Sequence, residues 1–194
     1  MKLHLAQNFL NLIFLDDAYR VIYKLNTPSG VMSGSTSISK ALPADLDIPR
    51  KDFNAADGGQ RFANVGRIDW RTLSSSTIQI LDQQMDTKDF FRSEGIYGKV
   101  FGGNHIFTGL DGKEYKWSSS KGFVSPTSQL VLHDKSTDSE TPVAKFRYSY
   151  TGFAIKGDLE IYPAGEHMAE LIIVTFIYTH VKGLMSECFT YLQE

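Results

Sequence analysis

Only one cysteine, Cys188, occurs in the 194 residues. No disulfide can close within the chain, so the fold needs no oxidising compartment. With no Asn-x-Ser/Thr sequon present either, the expected location is cytoplasmic. Clustered positive charge is missing as well. Lys and Arg number 20 against 22 Asp and Glu, for a net charge of −2, and Arg50–Lys51 is the one adjacent basic pair. Nucleic acid is held by a basic face that neutralises phosphates, so none is expected as a partner. Nor is there a long apolar run. A bilayer span takes about 20 mainly apolar residues, and the run Leu171–Tyr178 is bounded by Glu170, His180 and Lys182; no transmembrane segment is expected. The opening Leu3, Leu5, Phe9, Leu10 and Leu12–Leu15 imitates a secretory leader. His4, Gln7, Asn8 and Asn11 interrupt it, and no small-residue cleavage site precedes Asp16–Asp17. It reads as strands.

Catalytic signatures are also lacking. The chain has no Gly-x-Ser-x-Gly elbow, phosphate loop, His-Glu-x-x-His or Cys-x-x-Cys. Gly98–Gly103 lacks the Gly-Lys-Ser/Thr ending of a phosphate loop and reads as a turn. Asp16–Asp17 and Asp111 are turn acids without the further oxygen ligands calcium needs. Neither a metal nor another cofactor is expected. Cys188 has no base nearby in sequence and reads as a small buried apolar residue.

What the chain does have is aromatic and β-branched residues, including thirteen Phe and nine Tyr, which suit a half-buried pleated surface. Tyr19, Val21, Tyr23 and Leu25 alternate with Arg20, Ile22, Lys24 and Asn26, the period of a strand with one buried face. Further strands are predicted at 36–42, at 61–71 with Phe62, Gly66, Ile68 and Trp70 on one face, around Ile78–Ile80, at Phe90–Phe91, at 130–132, at 143–150 and at 153–162. Residues 104–117 read as a hairpin about Gly109-Leu110-Asp111-Gly112, because glycine accepts the positive φ of such turns. Residues 43–60 hold Pro43, Pro49, Asp45, Asp47, Asp52, Asp57, Gly58 and Gly59 with few large apolars, and are predicted to be an exposed, mobile loop. Many short strands without intervening helices indicate a sandwich or barrel, taken as a single domain over 1–194.

The C-terminus breaks this pattern. After Pro163–Gly165, the apolar positions of Leu171–Tyr178 point in every direction at 100° per residue. A helix apolar all round is buried all round. The β-branched Ile172, Ile173, Val174 and Ile177 fit a central strand equally, and periodicity alone does not choose. Leu184, Met185, Cys188, Phe189 and Leu192 follow at helical spacing, with Gly183 as a candidate kink.

Several segments resemble a family of uncharacterised-domain proteins from mushroom-forming fungi: Thr87–Arg92, Phe107–Trp117, Pro142–Phe146 and Gly165–Met168 through Val174–Phe176. The resemblance runs over most of the chain and is best between 60 and 180; it implies no activity. More distantly, the layout resembles the tubby C-terminal, LURP-one and phospholipid scramblase group. That resemblance implies a closed antiparallel barrel of about twelve strands around a hydrophobic C-terminal helix, here 166–182 plus a short helical tail. It also implies phosphoinositide binding in a basic groove, which the scattered Lys and Arg do not mark.

Two functional readings follow. The first is a non-enzymatic binding module that contacts a lipid or membrane surface or a protein partner. The second is a small-pocket enzyme using His167 with Glu166 or Glu170. Glu170 lies about one helical turn from His167, within reach as an acid–base pair; helix-start capping explains the same residues. His167 and His180 face nearly opposite sides of a helix and are about 20 Å apart along its axis, so they cannot share a metal.

Overall fold

The computed structural model describes residues 1–6, 11–28, 34–46, 60–71, 74–94, 104–120, 127–134, 139–151 and 154–191. Thirteen strands are found among them: β1 (Lys2–Ala6), β2 (Ile13–Leu15), β3 (Val21–Asn26), β4 (Ser35–Ala41), β5 (Phe62–Asp69), β6 (Thr77–Ile80), β7 (Gln83–Asp86), β8 (Arg92–Glu94), β9 (Asn104–Thr108), β10 (Glu114–Ser120), β11 (Thr127–Asp134), β12 (Ser139–Thr151) and β13 (Ala154–Ile161). They form one sheet in the order β7-β6-β5-β4-β3-β2-β1-β13-β12-β11-β10-β9-β8. Two antiparallel meanders are therefore joined where β1 pairs β13, Leu3 opposite Leu159. Alternation does what the pattern requires: in β3, Val21, Tyr23 and Leu25 are buried while Ile22 and Lys24 are half-exposed.

A one-turn helix, α1 (Thr87–Phe90), links β7 to β8. The long helix α2 (Ala169–Tyr191) follows a 3-10 turn at Pro163–Met168. Every residue from Leu171 to Tyr178 is buried, so helix, not strand, is the outcome for this segment. α2 runs through Gly183 as one element rather than as a helix to 182 and a separate tail. Strands from both ends of the sheet touch it. Phe176 packs against Phe14, Trp117 and Phe146 at ring-centroid distances of 6.2, 5.9 and 4.6 Å. The Trp117 Nε1–H donates to Thr175 Oγ1 at 3.0 Å. At Gly66 a Cβ would stand 2.5 Å from Val174 Cγ2, so glycine is what lets β5 approach the helix. No helix among the described residues is long and apolar enough to cross a membrane.

The expectation of a closed barrel is corrected here. The sheet curls round α2 but is not closed: β7 and β8 stand at its two ends, and no ladder joins them. The physical reason is that the link between them turns as α1, with Phe91 N–H bonded to Thr87 O, instead of as a hairpin, and β8 pairs β9. Phe91 and Trp70 sandwich Tyr178, at 4.8 and 5.8 Å and within 8° of parallel. These rings tie the residue after β5 and the residue before β8 to α2. Phe90–Phe91, expected as a strand, accordingly ends α1 and precedes β8.

Two further expectations change. Phe62 does not share the face of Gly66, Ile68 and Trp70. The pairing passes from Gly66↔Ile38 to Asn64↔Ser39, so Val65 is an extra residue, and a bulge reverses the faces beyond it. Phe62 instead joins Ile13, Leu15 and Val21 in a second apolar cluster, with Lys24 Nζ 4.0 Å above its ring. In the stretch 43–60, Pro43–Asp45 forms a 3-10 turn, and Asp45 is 5% exposed. Its carboxylate accepts from Arg61 Nε and Nη2, both at 2.9 Å. Those hydrogen bonds and the Arg61 charge hold the Asp45 pKa at about 2. Residues 47–59 of that stretch lie outside the described residues, as does the side chain of Cys188.

Candidate functional site

The open seam holds a cleft of about 430 Å³. Ile80 of β6 and Leu171 of α2, 4% and 2% exposed, form its floor with the half-buried Met85 and Phe90. Gln83, Asp89, Thr108 and Leu110 stand around its mouth. Each wall follows from local chemistry. The β6–β7 hairpin pairs Ile80 with Gln83 and Ile78 with Met85, which turns Met85 and Gln83 towards the floor. α1 is pinned by Thr87, whose N–H and hydroxyl both donate to Ser76 O, at 2.9 and 3.0 Å. Phe90 then stacks on Phe107 at 5.6 Å. The opposite wall is the β9–β10 hairpin, closed by Gly109 N–H to Lys113 O at 2.8 Å and by Gly112 at φ 77°.

Both hairpin tips carry an exposed leucine. Leu110 is 65% and Leu81 is 54% exposed; Leu81 sits on the turn between the lining residues Ile80 and Gln83. Its φ is 53°, a left-handed conformation that costs a leucine about 1–2 kcal/mol. Of the cleft's lining residues only Asp89 is charged. Asp82 and Asp89 have no ion-pair partner among the described residues.

The residues singled out from sequence are placed elsewhere and apart. Glu166 Oε1 lies 3.2 Å from the Met1 amine. Glu170 Oε1 accepts from Lys40 Nζ at 2.5 Å. Burial pushes the Glu170 carboxyl up, but the Lys40 hydrogen bond, a backbone hydrogen bond and the Lys40 charge together outweigh it, and the pKa ends below its usual value. His167 Nε2 is 3.7 Å from Asp111 Oδ2, and its side chain is 52% exposed. No hydrogen bond or ion pair joins His167 to Glu166 or Glu170 among the described residues. Asp111 also accepts from the Lys113 N–H at 3.1 Å and from the Tyr115 hydroxyl at 2.9 Å; these outweigh burial and hold its carboxyl low. The three side chains thus tie the start of α2 to the Met1 amine, to β4 and to the β9–β10 turn. Among the described residues no three His, Cys, Asp or Glu side chains gather to hold a metal ion.

Sequence reasoning passed over the cleft because the segment 80–90 meets Thr108–Leu110 and Leu171, distant in the chain, only once it is folded. One signal was present: Leu110 lies in a Gly-Leu-Asp-Gly turn, where a polar residue is usual. The segments 87–92 and 107–117, which carry the family resemblance, both contribute to the cleft.

The model of a family of unknown function, DUF6593, matches residues 7–183. No curated protein and no solved structure matches the chain.

Proposed function

Since the chain belongs to the DUF6593 family, a membership that carries no activity, we propose from its geometry that it is a non-enzymatic binding module whose seam cleft takes the apolar part of a ligand. One observation carries this reading: an apolar-floored cleft of about 430 Å³ opens where the sheet fails to close. That volume falls in the range of about 300–1,000 Å³ usual for ligand sites, which are mostly apolar with a few polar groups at the edge. The two leucines exposed at its hairpin tips add apolar surface that the fold itself does not use. The acid–base reading of His167 with Glu166 or Glu170 has less support, because each of the three is engaged with a different strand or turn and none lines the cleft. The same proposal takes residues 1–194 as one domain at work in the cytoplasm, on the lone cysteine, and in a mushroom-forming fungus, on the resemblance.

Titration with Nile red, a neutral apolar dye, tests it. The full chain should give saturable, blue-shifted emission. Leu110→Asp at the exposed tip should weaken binding by about tenfold, equivalent to ~1.4 kcal/mol, and His167→Gln should leave it unchanged. Non-saturable binding, or binding indifferent to Leu110→Asp, would mean the cleft is not the site.

A further inference from the structure

We propose that the seam is completed by an extended segment of a partner protein, which adds as a strand to the outer edge of β7, sets apolar side chains into the cleft and places basic ones against Asp82 and Asp89. This rests on the cleft being a binding site and says what fills it.

The backbone supplies the first reason. β7 ends the strand order, so one edge of Gln83–Asp86 pairs β6 and the other pairs nothing among the described residues. Across the cleft, β9 outruns its neighbour. Its pairing with β8 stops at Ile106↔Arg92, while Phe107 and Thr108 pair β10 only. Two open edges therefore face one gap, and Met85, Gln83 and Thr108 line that gap. Free edges are commonly blunted by short length, charge, proline or a bulge. β7, Gln-Gln-Met-Asp, is short and ends in Asp86, but it has no lysine or proline and its register with β6 is regular. A strand added there would turn alternate side chains inward, the periodicity that an apolar floor with a polar mouth accepts.

Charge supplies the second reason and selects the occupant. Asp89 stands at the mouth and Asp82 on the β6–β7 turn between the lining residues Ile80 and Gln83, both without ion pairs among the described residues, where Asp86 meets only the exposed Lys88 at 3.6 Å. The cations of the facing hairpin and of β8 are engaged, Lys113 with Asp111 at 3.6 Å and Arg92 with Glu114 at 3.2 Å. No cation lines the cleft to meet a carboxylate or phosphate. A fatty acid or an anionic bilayer would bring negative charge onto unpaired carboxylates, whereas a segment alternating apolar and basic residues matches both the floor and the mouth.

Capped hexapeptides of alternating lysine and leucine provide the probe, compared with the glutamate–leucine counterpart and with the lysine–leucine peptide methylated at every backbone nitrogen. On the full chain the lysine–leucine peptide should bind, and both controls should bind at least about tenfold more weakly, as expected for lost charge complementarity and lost backbone hydrogen bonds. Amide exchange should slow over residues 83–86 on binding. The exposed changes Asp82→Asn and Asp89→Asn together should shrink the lysine-over-glutamate preference by about fivefold or more. Equal binding of the methylated peptide, or no change in exchange at 83–86, overturns strand addition while leaving an apolar site. Nile red binding without peptide binding does the same. Loss of both dye and peptide binding overturns the binding-module reading as well. A chain that self-associates through β7, seen by sedimentation with exchange at 83–86 already slow and no peptide uptake, assigns the edge to a second copy and also overturns the proposal.

Discussion

Two histidines give this protein opposite responses to pH. His180 lies between the rings of Phe146 and Phe176, at 4.7 and 4.4 Å, and desolvation pushes its pKa from 6.5 down to about 3. The unfolded chain therefore binds the extra proton between those values, so this contribution is complete above pH 6.5 and is lost as pH falls towards 3. The carboxylates held low, such as Glu170 with its ordinary value of 4.5, begin to lose theirs only further down. His180 therefore contributes to the loss of stability between pH 6.5 and 4.5, and urea titrations should show His180→Phe reducing that limb. His4 runs the other way. Hydrogen bonds to Asp17 at 2.9 Å and Asp158 at 2.7 Å raise its pKa. Its contribution is complete below 6.5 and lost as pH rises through the raised value, so His4→Gln should remove stability at pH 6 and little at pH 9. A third residue-scale expectation concerns Leu81. Because its φ is positive and its side chain exposed, Leu81→Gly should stabilise the fold by about 1 kcal/mol, read from the urea midpoint.

At the scale of elements, the contact between β5 and α2 sets the tightest tolerance. A Cβ at position 66 meets Val174 Cγ2 at 2.5 Å and Gln79 O at 3.2 Å. Gly66→Ala should cost about 1–3 kcal/mol through forced displacement. In a Val174→Ala background the same change should cost less, since the nearer atom is gone; a cycle of the four proteins by thermal unfolding reads the coupling, and additive losses would place the strain on the strand instead. Phe176, 1% exposed amid rings of three strands, should lose about 3–5 kcal/mol on truncation to Ala.

For the molecule as a whole, α2 is the interior of the curled sheet. Removing residues 166–194 takes away Leu171–Tyr178, all buried, and leaves the inward faces of β5, β10 and β12 without a partner. Residues 1–165 should aggregate and show no cooperative thermal transition. A sharp transition near that of the full chain would mean that the sheet holds together without its helix.

Local order was legible in the amino acids alone. Period-two alternation marked β3 and β13, Gly109–Gly112 marked the β9–β10 hairpin, and the absence of any polar face marked 171–178 as wholly buried, because side-chain direction repeats with backbone period and burial follows it. The choice of helix over strand there, the seam and the cleft were decided only by the tertiary structure. Val65 slips one residue and sends Phe62 to the other face; nothing in the pattern of 61–71 records that, since a bulge is a property of two strands. That Trp70 and Phe91 sandwich Tyr178 is likewise decided in the fold, since the three come from just after β5, just before β8 and within α2. His167, Glu166 and Glu170 looked like a cluster because they are near in sequence, yet each faces a different strand or turn once the sheet curls round the helix. The charges of the seam are readable one by one, but that Asp89 stands at the mouth of a cleft floored by Leu171 follows from the curl alone.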